Sequence, residues 1–259
     1  MNGLNTNWTS TDAMRPTQGA VGYLEVRLKM QELRERAAAP GSLEKYLKIH
    51  PIPAVHGPDG RMYLTDHHHM GLALVNLAEE WDTEEKPAAK NPYRACSFQI
   101  IKNFSERDDI TMRQFFLKME EHNRCHPFDG AGKRIEKLPK YLDELVDDPY
   151  RSLAGLARKA GAFDKVEVPF TEFKWANYLR DKVPQELITE GNIASAILRT
   201  VQLANNPGAS KLPGFRGLRP IDQLPTLDEI KERITIRHGA DDAAPDLPQV
   251  QSKKRVTGK

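Results

Sequence analysis

The 259-residue sequence predicts an α+β fold, a small mixed-sheet unit followed by a helical unit. Two observations carry this expectation. Residues 52–81 read in the order strand, turn, strand, helix, the pattern of a hairpin that feeds a helix. From residue 106 onward the apolar residues recur at helical spacing behind capping signals such as Thr111 with Gln114 and Thr226 with Glu229. Composition agrees with a packed globular chain: 39% hydrophobic and 29% charged residues allow a real core. The net charge of +2 is well short of the strongly basic balance of a DNA-coating protein.

The elements follow in order. Residues 1–14 are polar and read as a flexible lead-in; without an apolar core they do not make a signal peptide. Val26, Met30 and Leu33 place a helix over 25–36, and Ser42 is a candidate N-cap for a short helix over 43–49. Ile52–His56 and Arg61–Leu64 are strands joined by the turn Gly57-Pro58-Asp59-Gly60, where Pro presets φ and Gly accepts positive φ. A helix over 67–81 follows, with a further strand over 96–101. Asp148-Pro149 is a good N-cap and first-turn pair for a helix through Ala160, and helices are expected over 170–180, 185–188, 193–204 and 226–236. The mixed unit is placed at 15–105, the helical unit at 106–238 and a disordered tail at 239–259. No stretch approaches the roughly 20 apolar residues of a membrane span. Cys96 and Cys125 read as reduced thiols, so the expected address is the cytoplasm.

The candidate site is Asp66-His67-His68-His69, at the junction of the second hairpin strand and its helix. A helix start exposes unpaired N–H groups and the positive end of the helix dipole, which favours an anion such as phosphate. Imidazoles add donors, and a neutral imidazole can act as a general base near neutral pH. Asp66 is either a helix cap or the partner that orients a histidine; the plainer alternative leaves it a cap beside exposed spacers. Consecutive helical residues point about 100° apart, so the three rings would rarely share one metal ion.

Several stretches resemble the bacterial ParB-like nuclease family. They are Arg15-Pro16-Thr17-Gln18 with Val21-Gly22, Ile52-Pro53-Ala54-Val55, Tyr63-Leu64-Thr65-Asp66-His67-His68-His69, and, downstream, Asp148–Gly155 and Phe170–Ala176. The resemblance spans residues 15–181 and implies a ParB/sulfiredoxin-type fold. Relatives on that fold bind nucleotides at this strand-to-helix motif: some hydrolyse CTP while clamping DNA, some phosphorylate serine, and sulfiredoxin repairs an oxidised cysteine with ATP. By position His68 and His69 match phosphate-facing histidines, and Asp66 the leading acid. A nucleoside triphosphate with Mg²⁺ is the cofactor so implied. Arg15, Thr17, Gln18, Gly22, Arg61 and His67 are candidate ligand-binding residues. The sequence departs from the better-known members at Met70, where many carry an arginine able to grip a phosphate. Arg61 or Arg15 is the candidate replacement. The Cys-His pair of sulfiredoxin is absent, which argues against sulfinate repair.

Other features read more plainly. His122, Cys125 and His126 have zinc-like spacing beside Glu120 and Glu121, but Pro127 and Gly130 end the helix there, so packing is favoured. The Asp-His-His tripeptide of metal-dependent phosphoesterases lacks its companion aspartates. Glu25 and Lys29 read as a solvated i,i+4 pair, with an acid/base and phosphate role as the sharper alternative. Tyr150, Arg151, Phe170, Phe173, Trp175 and Tyr178 read as packing rather than as a base-stacking platform. A helix-turn-helix near Ser152–Gly161 has too long a turn, and Lys253-Lys254-Arg255 reads as a solvated end. Three functions stay in view: phosphoryl transfer or phosphodiester hydrolysis on a small-molecule or nucleotide ligand, a DNA-binding module with a nucleotide switch, and a metal-dependent enzyme.

Overall fold

The computed structural model describes residues 6–84, 90–107 and 109–235. Strand β1 (Thr6–Ser10) leads through a 3-10 turn into β2 (Met14–Arg15) and β3 (Ala20–Val21), followed by helices α1 (Tyr23–Ala38) and α2 (Ser42–Ile49). The hairpin β4 (Ile52–His56) and β5 (Met62–Leu64) feeds α3 (His68–Thr83); β6 (Ala95–Asn103) and α4 (Met112–Glu121) follow. After β7 (Val146–Asp147) come α5 (Pro149–Lys159), α6 (Thr171–Leu179), α7 (Ile193–Ala204) and α8 (Leu227–Thr235).

Five strands form one mixed sheet in the order β1-β6-β4-β5-β2. The expected hairpin is present: Ala54 faces Leu64 and His56 faces Met62, with the turn closed by Gly60 N–H on Gly57 O at 3.0 Å. The lead-in reading of 1–14 is corrected over its described part, because Thr6–Ser10 pairs antiparallel with β6 as an edge strand. Ser42 is not a cap; Gly41 holds that position and Ser42 begins the helix. The capping boxes at Thr111 and Thr226 and the Asp148 cap form as expected. The expected tail, with Lys253-Lys254-Arg255, lies outside the described residues.

Two main cores result. One joins the sheet to α1, α2 and α3 through Met14, Leu33, Ile52, Leu64, Leu74 and Phe98. The other packs α5, α6 and α7 around Trp175, which stacks on Phe163 at 4.2 Å and donates its indole N–H to Pro213 O at 2.8 Å. The packing does not divide at 105/106. Phe115 and Met119 of α4 pack on Val55 and Tyr63 of the hairpin, and Leu142 and Leu145 join the sheet core. Residues of the segment 106–147 therefore pack with the sheet, and the helical core gathers α5, α6 and α7 with Leu24 of α1.

A two-residue parallel pairing joins the parts. Ala20 faces Val146, Val21 faces Asp147, and Asp148 N–H donates to Val21 O at 2.9 Å. This sets α1 and α5 side by side. The approach is close enough that a Cβ on Gly22 would lie 2.3 Å from Ser152 Oγ, and one on Gly155 2.4 Å from Glu25 Oε1, so both positions need glycine.

Candidate functional site

The α1–α5 contact positions the site. Arg151 stands in the first turn of α5, where the Asp148 cap accepts its backbone N–H at 3.1 Å. Its guanidinium Nη1 donates to Glu25 Oε2 at 2.7 Å and lies 5.4 Å from the centre of the Phe173 ring. Glu25 Oε2 is also 3.2 Å from His69 Nε2, within ion-pair distance but without an aligned hydrogen bond. Burial pushes the Glu25 carboxyl up, yet Arg151, then His69, outweigh it and hold it well below the usual carboxylate range. Glu25 and Lys29 are thus not paired with each other. Lys29 Nζ bonds Glu32 at 2.5 Å and Tyr46 Oη at 3.0 Å.

The histidines divide their roles. His67 precedes α3 in the left-handed region, φ 60°, and holds the cap position without capping through its side chain. Its Nδ1 is buried without a hydrogen-bond partner. His68 is 4% exposed, and its Nε2 accepts the Thr17 backbone N–H at 3.2 Å. Burial lowers the His68 pKa to about 3, so the ring is a neutral acceptor at neutral pH. Thr17 Oγ1 donates in turn to Leu64 O. Asp66 does not cap the helix: its Oδ1 accepts the N–H of His67 at 2.7 Å. Loss of solvent pushes the Asp66 carboxyl up, but His67 and that amide hold it below its ordinary value. The first intrahelical bond of α3 is Gly71 N–H to His67 O, which leaves the amides of His68, His69 and Met70 without helical partners.

A two-lobed cleft opens over this junction. One lobe, about 440 Å³, lies between His67, His68 and Gln18 and the 165–173 segment. The other, about 420 Å³, lies between Glu25, His69 and Met70 and the α5 residues Arg158 and Lys159. Asp66, His67, Arg151, Arg158 and Lys165 border both. Glu172 pairs with Arg158 at 2.7 Å, whereas Lys159 and Lys165 carry no ion pair among the described residues.

The structure brings together Asp66, His67, His68, His69 and Gln18, with Thr17 held against His68. It does not bring Arg15 or Arg61. Both border a different cavity, on the far side of the hairpin, so neither replaces the arginine missing at Met70. Gly22 caps α1 against Ser152 and lines neither lobe. Arg151, which the sequence reading had placed in packing, borders both lobes together with Arg158 and Lys165. A signal for it existed: Arg151 and Arg158 stand seven residues apart on one face of a helix otherwise rich in Leu and Ala.

The second histidine group does not converge. His122 donates Nδ1–H to Lys118 O at 2.8 Å, Cys125 is buried behind the hairpin, and His126 is wedged among Phe128, Phe170 and Phe173, 4.1 Å from the last ring. Burial, then Arg151, lowers the His126 pKa to about 4. Among the described residues, no group of three or more His, Cys, Asp or Glu is placed to hold a metal ion. Among them too, no helix is long and apolar enough to cross a membrane.

Comparisons with known proteins agree with this architecture. The crystal structure of protein Atu1540 from Agrobacterium tumefaciens is similar at 34% identity and a TM-score of 0.68, covering 83% of this chain and 99% of that one. No curated protein matches significantly. The family model described as "Putative ParB-like nuclease" matches residues 8–181, which contain the whole hairpin-to-helix junction and the α5–α6 wall of the cleft. The chain belongs to the ParB-like nuclease family.

Proposed function

We propose that the cleft binds a phosphate-bearing ligand, a nucleotide or a phosphodiester, and that the protein catalyses phosphoryl transfer or phosphodiester hydrolysis there. One observation carries this reading. The amides of His68, His69 and Met70 have no helical partner, and these residues border the same cleft as Arg151, Lys159 and Lys165, so a phosphate bound there would meet helix-start donors and cations together. Arg151 is buried against Glu25 and is therefore pre-set rather than mobile. In this reading His68 is a positioning residue, because its Nε2 is engaged by Thr17. His67, with an unpartnered buried nitrogen, is the candidate acid or base beside the phosphorus. Mg²⁺ would arrive with a triphosphate. A DNA-binding role draws less support, since the helix-turn-helix reading fails on the connection of residues 160–170 between α5 and α6.

The test is calorimetry and thermal shift with ATP, ADP, CTP, GTP and a single-stranded oligonucleotide, with and without Mg²⁺. Wild type, His67→Ala and Lys165→Ala are compared. A phosphate ligand should stabilise wild type, bind more weakly to Lys165→Ala, and bind to His67→Ala without turning over. Equal binding and turnover in all three proteins would refute the assignment.

A further inference from the structure

The cavity on the far side of the hairpin shares no lining residue with the histidine cleft. It is a groove of about 510 Å³, within the range of small-molecule sites. Its floor is apolar: Phe116 and Leu117 of α4 face Ile135 and Leu138 of the irregular segment that precedes Leu142. Leu117, 51% exposed, adds open apolar surface to this floor.

The rim is cationic, and its charges are unevenly neutralised. Asp59 is engaged by Tyr63 Oη at 2.9 Å and Arg61 at 3.5 Å, and Glu120 accepts two bonds from Arg134 at 2.7 and 2.9 Å. Arg113 and Lys137 have no ion pair among the described residues, and Glu136 is the one acid there left unpaired. Arg15 is the decisive residue. It is 5% exposed, yet Nη1 donates only to the carbonyls of Asp12 at 2.8 Å and Met14 at 2.6 Å, its plane rests 4.7 Å from the centre of Tyr141, and Nε has no partner. No described carboxylate lies within ion-pair distance of it. A buried guanidinium on the wall of the groove, held only by carbonyls and with its Nε unpartnered, carries charge that no described carboxylate pairs.

We propose that this groove is a second ligand site, for a small organic anion: an aromatic or acyl body lying on Leu117 and Leu138, with a carboxylate drawn to Arg15 and the Arg113–Lys137 rim. The site is independent of the phosphate reading, since it uses none of the same residues.

Calorimetry of the full chain with 2-naphthoate, 2-naphthol and inorganic phosphate tests it. The expected result is 1:1 binding of 2-naphthoate, with 2-naphthol weaker by roughly tenfold for want of the charge and inorganic phosphate not competing for want of the body. Leu117→Asp, on the exposed face of α4, should abolish naphthoate binding; Arg113→Ala should weaken it about fivefold. Lys165→Ala, in the other cleft, should leave it unchanged. Equal affinity for naphthoate and naphthol would overturn the proposal. So would binding that survives Leu117→Asp but fails in Lys165→Ala, or the absence of saturable naphthoate binding to the folded wild type.

Discussion

Two clusters of histidine, 66–69 and 122–126, meet opposite fates. The first sits at a helix start, the second at a helix end. A helix start presents N–H groups, so the first segment faces an open cleft with amides to offer. A helix end presents carbonyls, so His122 spends its Nδ1–H on Lys118 O. The chain then turns through Asn123, φ 54°, which sends Cys125 and His126 to different surroundings. Spacing alone would have ranked the second segment as the better metal site. Helix polarity and the path of the chain decide otherwise.

The largest expected effect is on the charge behind the first segment. Arg151→Met strips the largely buried Glu25 of its guanidinium partner, leaving only His69 beside it, and should cost about 3 kcal/mol in urea unfolding. The double variant Glu25→Gln/Arg151→Met should recover most of that. If Arg151→Met alone is as stable as wild type, the Glu25 network does not underpin the cleft. Next is His68→Leu, which strands the Thr17 amide in the interior and should cost roughly 1–3 kcal/mol. Equal stability by chemical denaturation would remove the positioning role.

The second segment gives a pH prediction. The His126 pKa falls from 6.5 to about 4 in the fold, so below 6.5 the unfolded chain takes up a proton that the fold refuses. The stability that the neutral ring contributes is whole above pH 6.5 and is lost as the pH falls toward 4. His68, lowered to about 3, titrates in the same direction. His126→Phe, which keeps an aromatic ring in the cluster, should reduce the acid-side slope of stability against pH by up to ~1.4 kcal/mol per pH unit. An unchanged slope would mean that the ring is solvated. The smallest effect sharpens the contrast: His122→Ala should change stability by less than about 0.5 kcal/mol and leave ligand binding in the cleft intact.

Much of the fold was legible because its signals are local. The Gly57–Gly60 turn, the Thr111 capping box and the Asp148-Pro149 pair each act within a few residues, and each formed. β1 was not legible, since a polar five-residue edge strand owes its form to β6, some ninety residues away in the sequence. The same distinction runs through the site. The donors at the start of α3 follow from the Asp66–His69 segment itself. The cation does not: Arg151 borders the same cleft because Val21 pairs with Asp147 and Gly22 and Gly155 let α1 and α5 touch. Arg15, close in sequence to Thr17, is turned to the opposite side of the hairpin by its pairing with Tyr63.

The sequence by itself determined the hairpin, most of the helices, the hairpin-to-helix junction and the unpaired donors of that helix start, because turn chemistry, capping and helix polarity are properties of short segments. Which charges stand around the junction, which histidine is spent on the fold, and that a second groove opens behind the hairpin were decided only by the tertiary structure. Those outcomes depend on contacts between residues far apart in the chain, 51 positions for Thr17 and His68 and 126 for Glu25 and Arg151, and such contacts leave no local pattern.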